Sequence, residues 1–321
     1  MSWTGKKVFI TGADGFLGSW LTKRLVREKA DVTVLLRDRE NDSKLRDLGI
    51  LEKVNAVYGS VEDLELIKRA LNEYSTEVIF HLAAQTLVGI ANRSPLSTFE
   101  SNIKGTWCLL EAARELKVPR IVVASSDKAY GDQEKLPYTE DFCLQGMHPY
   151  DVSKSCADMI ARTYAKTYGM NIAVTRCGNI YGGGDVNWSR IFPGTIRSLI
   201  KGEDPVIRSD GTLVRDYLYV EDAVDAYMML AEAMESGKLA GQAFNFGTNR
   251  PISVLDLVKL IMKVLGKKGK IIVQGNAPNE IREQYLDSTK ANRVLGWKPK
   301  HTLEQGTEKT YAWYESYLRE E

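Results

Sequence analysis

One stretch limits what this chain can fold into more than any other: "KKVFITGADGFLGSWLTKRL", residues 6–25. An apolar, β-branched run leads into three regularly spaced glycines, and an amphipathic segment follows. The order predicted is strand, tight turn, helix. Gly12, Gly15 and Gly18 carry no Cβ, so the turn can be tight, the backbone can approach a phosphate, and the helix can lie close to the strand. Phe16 and Leu17 open the helix, whose first N–H groups and positive dipole end suit an anion. The spacing is G-x-x-G-x-x-G, in the strand–loop–helix context that a dinucleotide-binding turn requires.

The first half of the chain repeats this alternation. "DVTVLLRD", "EVIFHLAA", "RIVVASS" and "NIAVTRCGN" read as strands. Between them, "VEDLELIKRALNEY", "PLSTFESNIKGTWCLLEAAREL" and "SKSCADMIARTYAKTYG" read as helices. The pattern predicts an α/β fold, a doubly wound parallel sheet of the Rossmann type. From about residue 180 it gives way to a glycine-rich loop, short strands and helices. The expected division is a dinucleotide-binding domain over 1–180 and a smaller, mixed substrate-binding region over 181–321, interleaved with strands returning to the sheet.

A chain of 321 residues can bury a large core. A formal net charge of +1 gives no footprint for nucleic acid or a membrane surface. No long apolar segment precedes the first strand, so neither a signal peptide nor a spanning helix is expected. Cys108, Cys143, Cys156 and Cys177 lack metal-ligand or disulfide-framework spacing, and the histidines are scattered. No metal site is expected, and a reducing cytoplasm suits such a chain.

Two charge pairs raise functional questions. At the tip of the second strand, Arg37 suits a 2′-phosphate, as in NADP, whereas Asp38 suits a ribose hydroxyl, as in NAD. Both also fit a solvated loop; the balance leans to NADP. At the carboxyl end of "RIVVA", the stretch "SSDKAYG" sets Asp127 and Lys128 directly after Ser126, where open α/β sheets bind ligands. Further on, "YDVSK" puts Tyr150 and Lys154 on one helix face. A phenol has an ordinary pKa of ~10, and a neighbouring ammonium favours its phenolate. Tyr150 can then take a proton from a sugar hydroxyl while hydride leaves the same carbon.

Taken together, "TGADGFLG", "HLAAQT", "SNIKGTWCLLEA", "SSDKAYG", "PYDVSK", "RCGNIYGGGD", "RDYLYVEDAVDAY", "NFG" and "LGWKP" resemble the extended short-chain dehydrogenase/reductases, specifically the nucleotide-sugar epimerases and dehydratases. The resemblance spans nearly the whole chain. It implies that Ser126 bonds the reacting hydroxyl beside Tyr150, and that Lys154 also holds the nicotinamide ribose. It implies that Asn102 supports the Tyr–Lys pair through water, that Leu82, Ala83 and Ala84 line the cofactor, and that Ser60 and Val61 border its adenine. Thr86, Asn179, Arg190, Arg215 and Arg282 would bind a nucleotide-diphosphate hexose, the guanidinium forks suiting phosphate. Arg282 fits an exposed rim charge equally well.

Within that family the Asp–Lys pair resembles the CDP-glucose 4,6-dehydratase branch, where simple 4-epimerases carry a small or apolar residue at the Asp127 position. Arg215-Asp216-Tyr217 departs from that branch and leaves the nucleotide base open. The dehydratase reading makes Asp127 the acid for the departing 6-hydroxyl and Lys128 the base at C5. Burial favours a protonated Asp127, and the ammonium beside it opposes one. A 4-epimerase, with the pair only binding sugar, is the alternative; a non-catalytic dinucleotide sensor is a third, which the intact Ser126–Tyr150–Lys154 set disfavours. The apolar girth of "STFESNIKGTWCLLEAAREL" and "SKSCADMIARTYAKTYG" predicts a homodimer.

Overall fold

The computed structural model describes residues 2–38, 43–276 and 281–320. Strands β1 (Lys7–Thr11), β2 (Asp31–Leu36), β3 (Asn55–Tyr58), β4 (Val78–His81), β5 (Arg120–Ala124) and β6 (Ile172–Cys177) form a sheet with the later strand Ala243–Phe246. The order is Ala243–Phe246, β6, β5, β4, β1, β2, β3, and β1 to β6 pair in parallel. Helices cover both faces, which is why β4 and β6 are buried at every position and read as mainly apolar runs, with His81, Thr175 and Arg176 as their polar members. The strand order reverses between β1 and β4, the position at which open α/β sheets bind ligands.

Two compact units make up the chain. The first comprises Met1–Gly131, Glu140–Arg176 and Val224–Phe244; the second comprises Asp132–Thr139, Cys177–Ala223 and Asn245–Glu321. The division therefore falls at the end of β6, between Arg176 and Cys177, and Val224–Phe244 returns to the first unit because its strand hydrogen-bonds beside β6, Val174 N–H to the Gln242 carbonyl at 2.9 Å. The segment Asp132–Thr139 leaves the sheet unit because Tyr138 N–H bonds the Tyr285 carbonyl at 3.0 Å.

The second unit is built from strands of two or three residues and from helices. Its long helix Leu303–Glu320 packs Trp313 against the "GGGD" loop, where a Cβ on Gly183 would meet the Trp313 ring. Tyr314 donates its hydroxyl to the Asp185 carbonyl at 2.6 Å. Trp297, from "LGWKP", is 1 % exposed and donates its indole N–H to the Asp222 carbonyl at 3.2 Å.

The long helix expected over residues 95–116 contains a π-helical segment, Glu100–Lys104, between α-helical Pro95–Phe99 and Gly105–Glu115. The helix carrying "YDVSK" begins at Pro149, so Tyr150 lies inside its first turn.

Candidate active site

The glycine loop closes against the strand across the switch point. Gly12 has φ +72°, and a Cβ there would lie 2.6 Å from Ala83 N and 2.7 Å from the Leu82 carbonyl carbon. Only a glycine lets the loop approach β4 this closely. Gly15 starts the helix Phe16–Arg27, and no side chain caps that N-terminus. A Cβ on Gly18 would strike the backbone of Gly12 and Ala13, so the helix is seated directly on the loop. A cradle that a Cβ would fill, at an uncapped helix N-terminus, fits the pyrophosphate of a dinucleotide. Asp14 accepts from Ser43 Oγ at 2.8 Å and Leu45 N–H at 3.2 Å, tying the segment beyond β2 to this loop.

Arg37 and Asp38, both exposed, pair with each other at 2.7 Å. Ser60 and Val61 follow β3; Val61 is buried, and its Cγ1 would lie 2.5 Å from a Cβ on Gly105. Leu82 and Ala84 flank Ala83 beyond β4, and Thr86 is exposed on the same loop.

A histidine that the motif reading passed over joins these segments. His81, at the end of β4, is 3 % exposed. Thr106 donates its hydroxyl to the Asn102 carbonyl at 2.6 Å, so it accepts from His81 Nε2–H at 3.0 Å. His81 Nδ1 then accepts from Thr11 Oγ1 at 2.8 Å, and Thr11 Oγ1 in turn accepts from Ala83 N–H at 3.2 Å. The chain of bonds fixes the Nε2–H tautomer. Burial, and after it the charge of Lys154, pushes the imidazole pKa down to about 3. A neutral histidine thus links β1, the loop after β4 and, through Thr106, the π-helical segment. A buried, polar residue ending an apolar strand was its sequence signal.

Asn102 sits in that π-helical segment, 1 % exposed. Its Oδ1 accepts from Gln85 N–H at 2.7 Å, and its Nδ2 donates to the Gln85 carbonyl at 3.1 Å and to Ser153 Oγ at 2.9 Å. Ser153 donates to the Tyr150 carbonyl at 2.7 Å. Asn102 therefore supports the Tyr150 helix through direct bonds.

β5 ends at Ala124, whose carbonyl accepts from Lys154 Nζ at 2.8 Å. Lys154 is 5 % exposed. The stretch after β5 forms one 3₁₀ turn, Asp127–Tyr130, capped by Ser126. Ser126 Oγ accepts from Lys128 N–H at 3.2 Å and donates to Asp127 Oδ1 at 3.0 Å. Asp127 is 4 % exposed, and Lys128 is half-buried. Ser155 Oγ reaches the Ala129 carbonyl at 3.0 Å, fastening the turn to the Tyr150 helix. Ser126, Asp127, Lys128, Tyr150 and Lys154 are thus carried by one turn and one helix of the first unit.

Asn179, Arg190, Arg215 and Arg282 all belong to the second unit. Arg215, 6 % exposed, donates to the carbonyls of Val214 (2.8 Å), Ile281 (2.6 Å) and Arg282 (3.3 Å). Its guanidinium thus holds the segment Ile281–Arg282, just ahead of the strand Glu283–Gln284. Asn179 N–H bonds the Asp216 carbonyl at 3.2 Å, next to Arg215, and its buried Nδ2 has no hydrogen-bond partner among the described residues. Arg190 pairs with Asp185 at 2.9 Å. Among the described residues no cluster of His, Cys, Asp and Glu is arranged to hold a metal, and no helix is long and apolar enough to cross a membrane.

The sheet order, the glycine loop and the Tyr–Lys helix define a nicotinamide-dinucleotide enzyme of the extended short-chain dehydrogenase/reductase class. Within it, the chain belongs to the family described as GDP-mannose 4,6 dehydratase, whose model matches residues 9–310. It is 29% identical to the CDP-glucose 4,6-dehydratase of Salmonella typhimurium, covering 99% of this chain and 93% of that one. Among solved structures, a UDP-glucose 4-epimerase of Thermotoga maritima with UDP-glucose superposes with TM-score 0.89 at 30% identity, covering 97% of this chain and 99% of that one. A dTDP-glucose 4,6-dehydratase of Streptomyces venezuelae with NAD superposes with TM-score 0.85 at 26% identity, covering 96% and 97%.

Proposed function

We propose that this protein is a nucleotide-sugar 4,6-dehydratase that converts a nucleotide-diphosphate hexose into its 4-keto-6-deoxy form. The observation that carries this reading is a carboxyl group, Asp127, that is 4 % exposed and bonded to Ser126. An epimerase that only oxidises and re-reduces C4 has no use for a buried acid at this point. An elimination needs one.

Gly12, Gly15, Gly18 and the Phe16–Leu17 N–H groups would hold the dinucleotide's pyrophosphate, and Leu82–Ala84 would line it. When bound, the nicotinamide would supply reversible hydride acceptance and donation. Tyr150 removes the 4-hydroxyl proton, with Lys154 beside it favouring the phenolate. Ser126 donates to the C4 oxygen. The resulting ketone acidifies the C5 proton, which Lys128 takes, while Asp127 protonates the departing 6-hydroxyl. The Ser126–Asp127 bond fits this order. With Asp127 ionised, the Ser126 proton points at the carboxylate; with Asp127 protonated, that proton is released toward the substrate oxygen. Lys128 makes no ion pair among the described residues, which suits a base.

We further infer NADP over NAD, since Arg37 is the one cation at the tip of β2 among the described residues, although Asp38 competes for it. A homodimer is supported by exposed Leu96, Trp107, Met159 and Tyr168 on the helical segments 95–115 and 149–168. Dispersed free cysteines favour the cytoplasm. Incubating the purified protein with a panel of nucleotide hexoses and weighing the products tests the reading. A product lighter by one water supports it, and an isomer of unchanged mass refutes it in favour of epimerisation.

A further inference from the structure

Arg176, near the end of β6, is 0 % exposed. Its guanidinium forms a two-pronged pair with Asp158, Nε to Oδ2 at 2.8 Å and Nη2 to Oδ1 at 3.0 Å, both side chains wholly buried. Nη1 donates to the Tyr130 hydroxyl at 2.8 Å and to the Glu140 carbonyl at 3.3 Å. The guanidinium also lies over the Tyr130 ring, 4.8 Å from its centroid. Tyr130 is itself 0 % exposed and is the last residue of the Asp127–Tyr130 turn.

A buried ion pair is a poor means of stabilising a fold, because desolvation offsets most of the attraction, and apolar side chains of similar shape commonly do as well. What this pair supplies is geometry. Tyr150, Lys154 and Asp158 are four residues apart in one helix and share a face. Arg176 grips the third of them and, with its remaining donor nitrogen, the far end of the turn that carries Asp127 and Lys128. The position of the helix is thereby passed to the turn. Oxidation at C4 uses groups anchored by the helix and by Ser126. Elimination adds the demand that Asp127 and Lys128 meet C5 and C6 while Tyr150 remains at C4.

We propose that Arg176 is a positioning residue for the elimination step, setting the Asp127–Lys128 turn against the Tyr150–Lys154 helix through Tyr130 and Asp158. The inference rests on the dehydratase reading. A misplacement of about 1 Å costs on the order of 10²-fold in a step that depends on alignment.

The test separates the two steps by rapid mixing with a nucleotide hexose. The rise in nicotinamide absorbance reports oxidation; quenched-flow mass analysis of the sugar reports loss of water. Tyr130→Phe keeps the ring under the guanidinium and removes only the hydroxyl. It is expected to oxidise within about threefold of the wild-type rate and to lose water roughly 10- to 100-fold more slowly. The double variant Arg176→Met/Asp158→Leu, which removes the whole pair, is expected to show the same split with no lower melting temperature; should it fail to fold, Tyr130→Phe decides alone. Equal slowing of both steps, or an unchanged ratio between them, overturns the positioning role. The wild-type product is weighed in the same experiment. An isomer of unchanged mass overturns the dehydratase reading and the elimination role together, whereas a dehydrated wild-type product with an unchanged ratio in the variant overturns the positioning role alone.

Discussion

Ser126 donates its hydroxyl proton to Asp127 across 3.0 Å inside a buried turn. In the proposed mechanism, the group that would bond the C4 oxygen and the acid that would expel the 6-hydroxyl are therefore direct partners. Asp127→Asn keeps the size of the side chain and removes its transferable proton. Oxidation should survive and elimination should fall roughly 10²- to 10⁴-fold, the usual worth of a positioned acid. Nicotinamide absorbance should then rise on addition of substrate and persist, with a 4-keto hexose trapped. Tyr150→Phe should give no rise.

If the glycine loop cradles the dinucleotide as proposed, Gly12 should set the affinity for it. With φ +72° and a Cβ position 2.6 Å from Ala83 N, Gly12→Ala must open the loop away from β4. Strain of this kind costs on the order of 1–3 kcal/mol, or about 5- to 150-fold in binding. Wild-type protein should carry its dinucleotide through purification, and the Gly12→Ala protein should emerge depleted. Chromatography of the extracted cofactor checks both and identifies it; NADP is expected. Full retention by the variant would contradict the cradle.

His81 makes stability depend on pH. Burial and the Lys154 charge hold its folded pKa at about 3, below the ordinary value of 6.5. Below pH 6.5 the unfolded chain binds a proton that the folded chain refuses. Stability from this group is thus complete above about pH 6.5 and is lost as pH falls toward 3, at up to about 1.4 kcal/mol per pH unit. Urea unfolding at pH 7 and pH 5 should show a steeper loss for wild type than for His81→Gln, which has no proton to gain. Parallel losses would mean that His81 does not carry this dependence.

Much of the first unit was legible because its signals are local. The glycine spacing, the parallel apolar runs and Tyr150–Lys154 each lie within one strand, turn or helix. The π-helical segment was not legible, since it is a single turn, Glu100–Lys104, inside a longer helical pattern. His81 and Arg176 were missed for a different reason. Each is a polar residue in a buried strand, and its partners come from segments distant in sequence: Thr11 and Thr106 for His81, Tyr130 and Asp158 for Arg176. The bonds of Arg215 to the Val214, Ile281 and Arg282 carbonyls were not legible either, since they arise where strands only two residues long pair, too short for periodicity to reveal.

The exposed Trp107 and Met159 bear on assembly. Light scattering at micromolar concentration should give twice the monomer mass. Trp107→Glu/Met159→Glu should give the monomer mass with an unchanged far-ultraviolet spectrum. A wild-type monomer would remove the reason for those exposed side chains.

The central claim is that hydride leaves C4 and returns at C6 of the same sugar. A nucleotide hexose deuterated at C4, turned over by the wild-type protein, follows that atom directly. The account predicts a product lighter by one water with the deuterium at C6 and a ketone at C4. Deuterium recovered at C4 of a sugar of unchanged mass would contradict it.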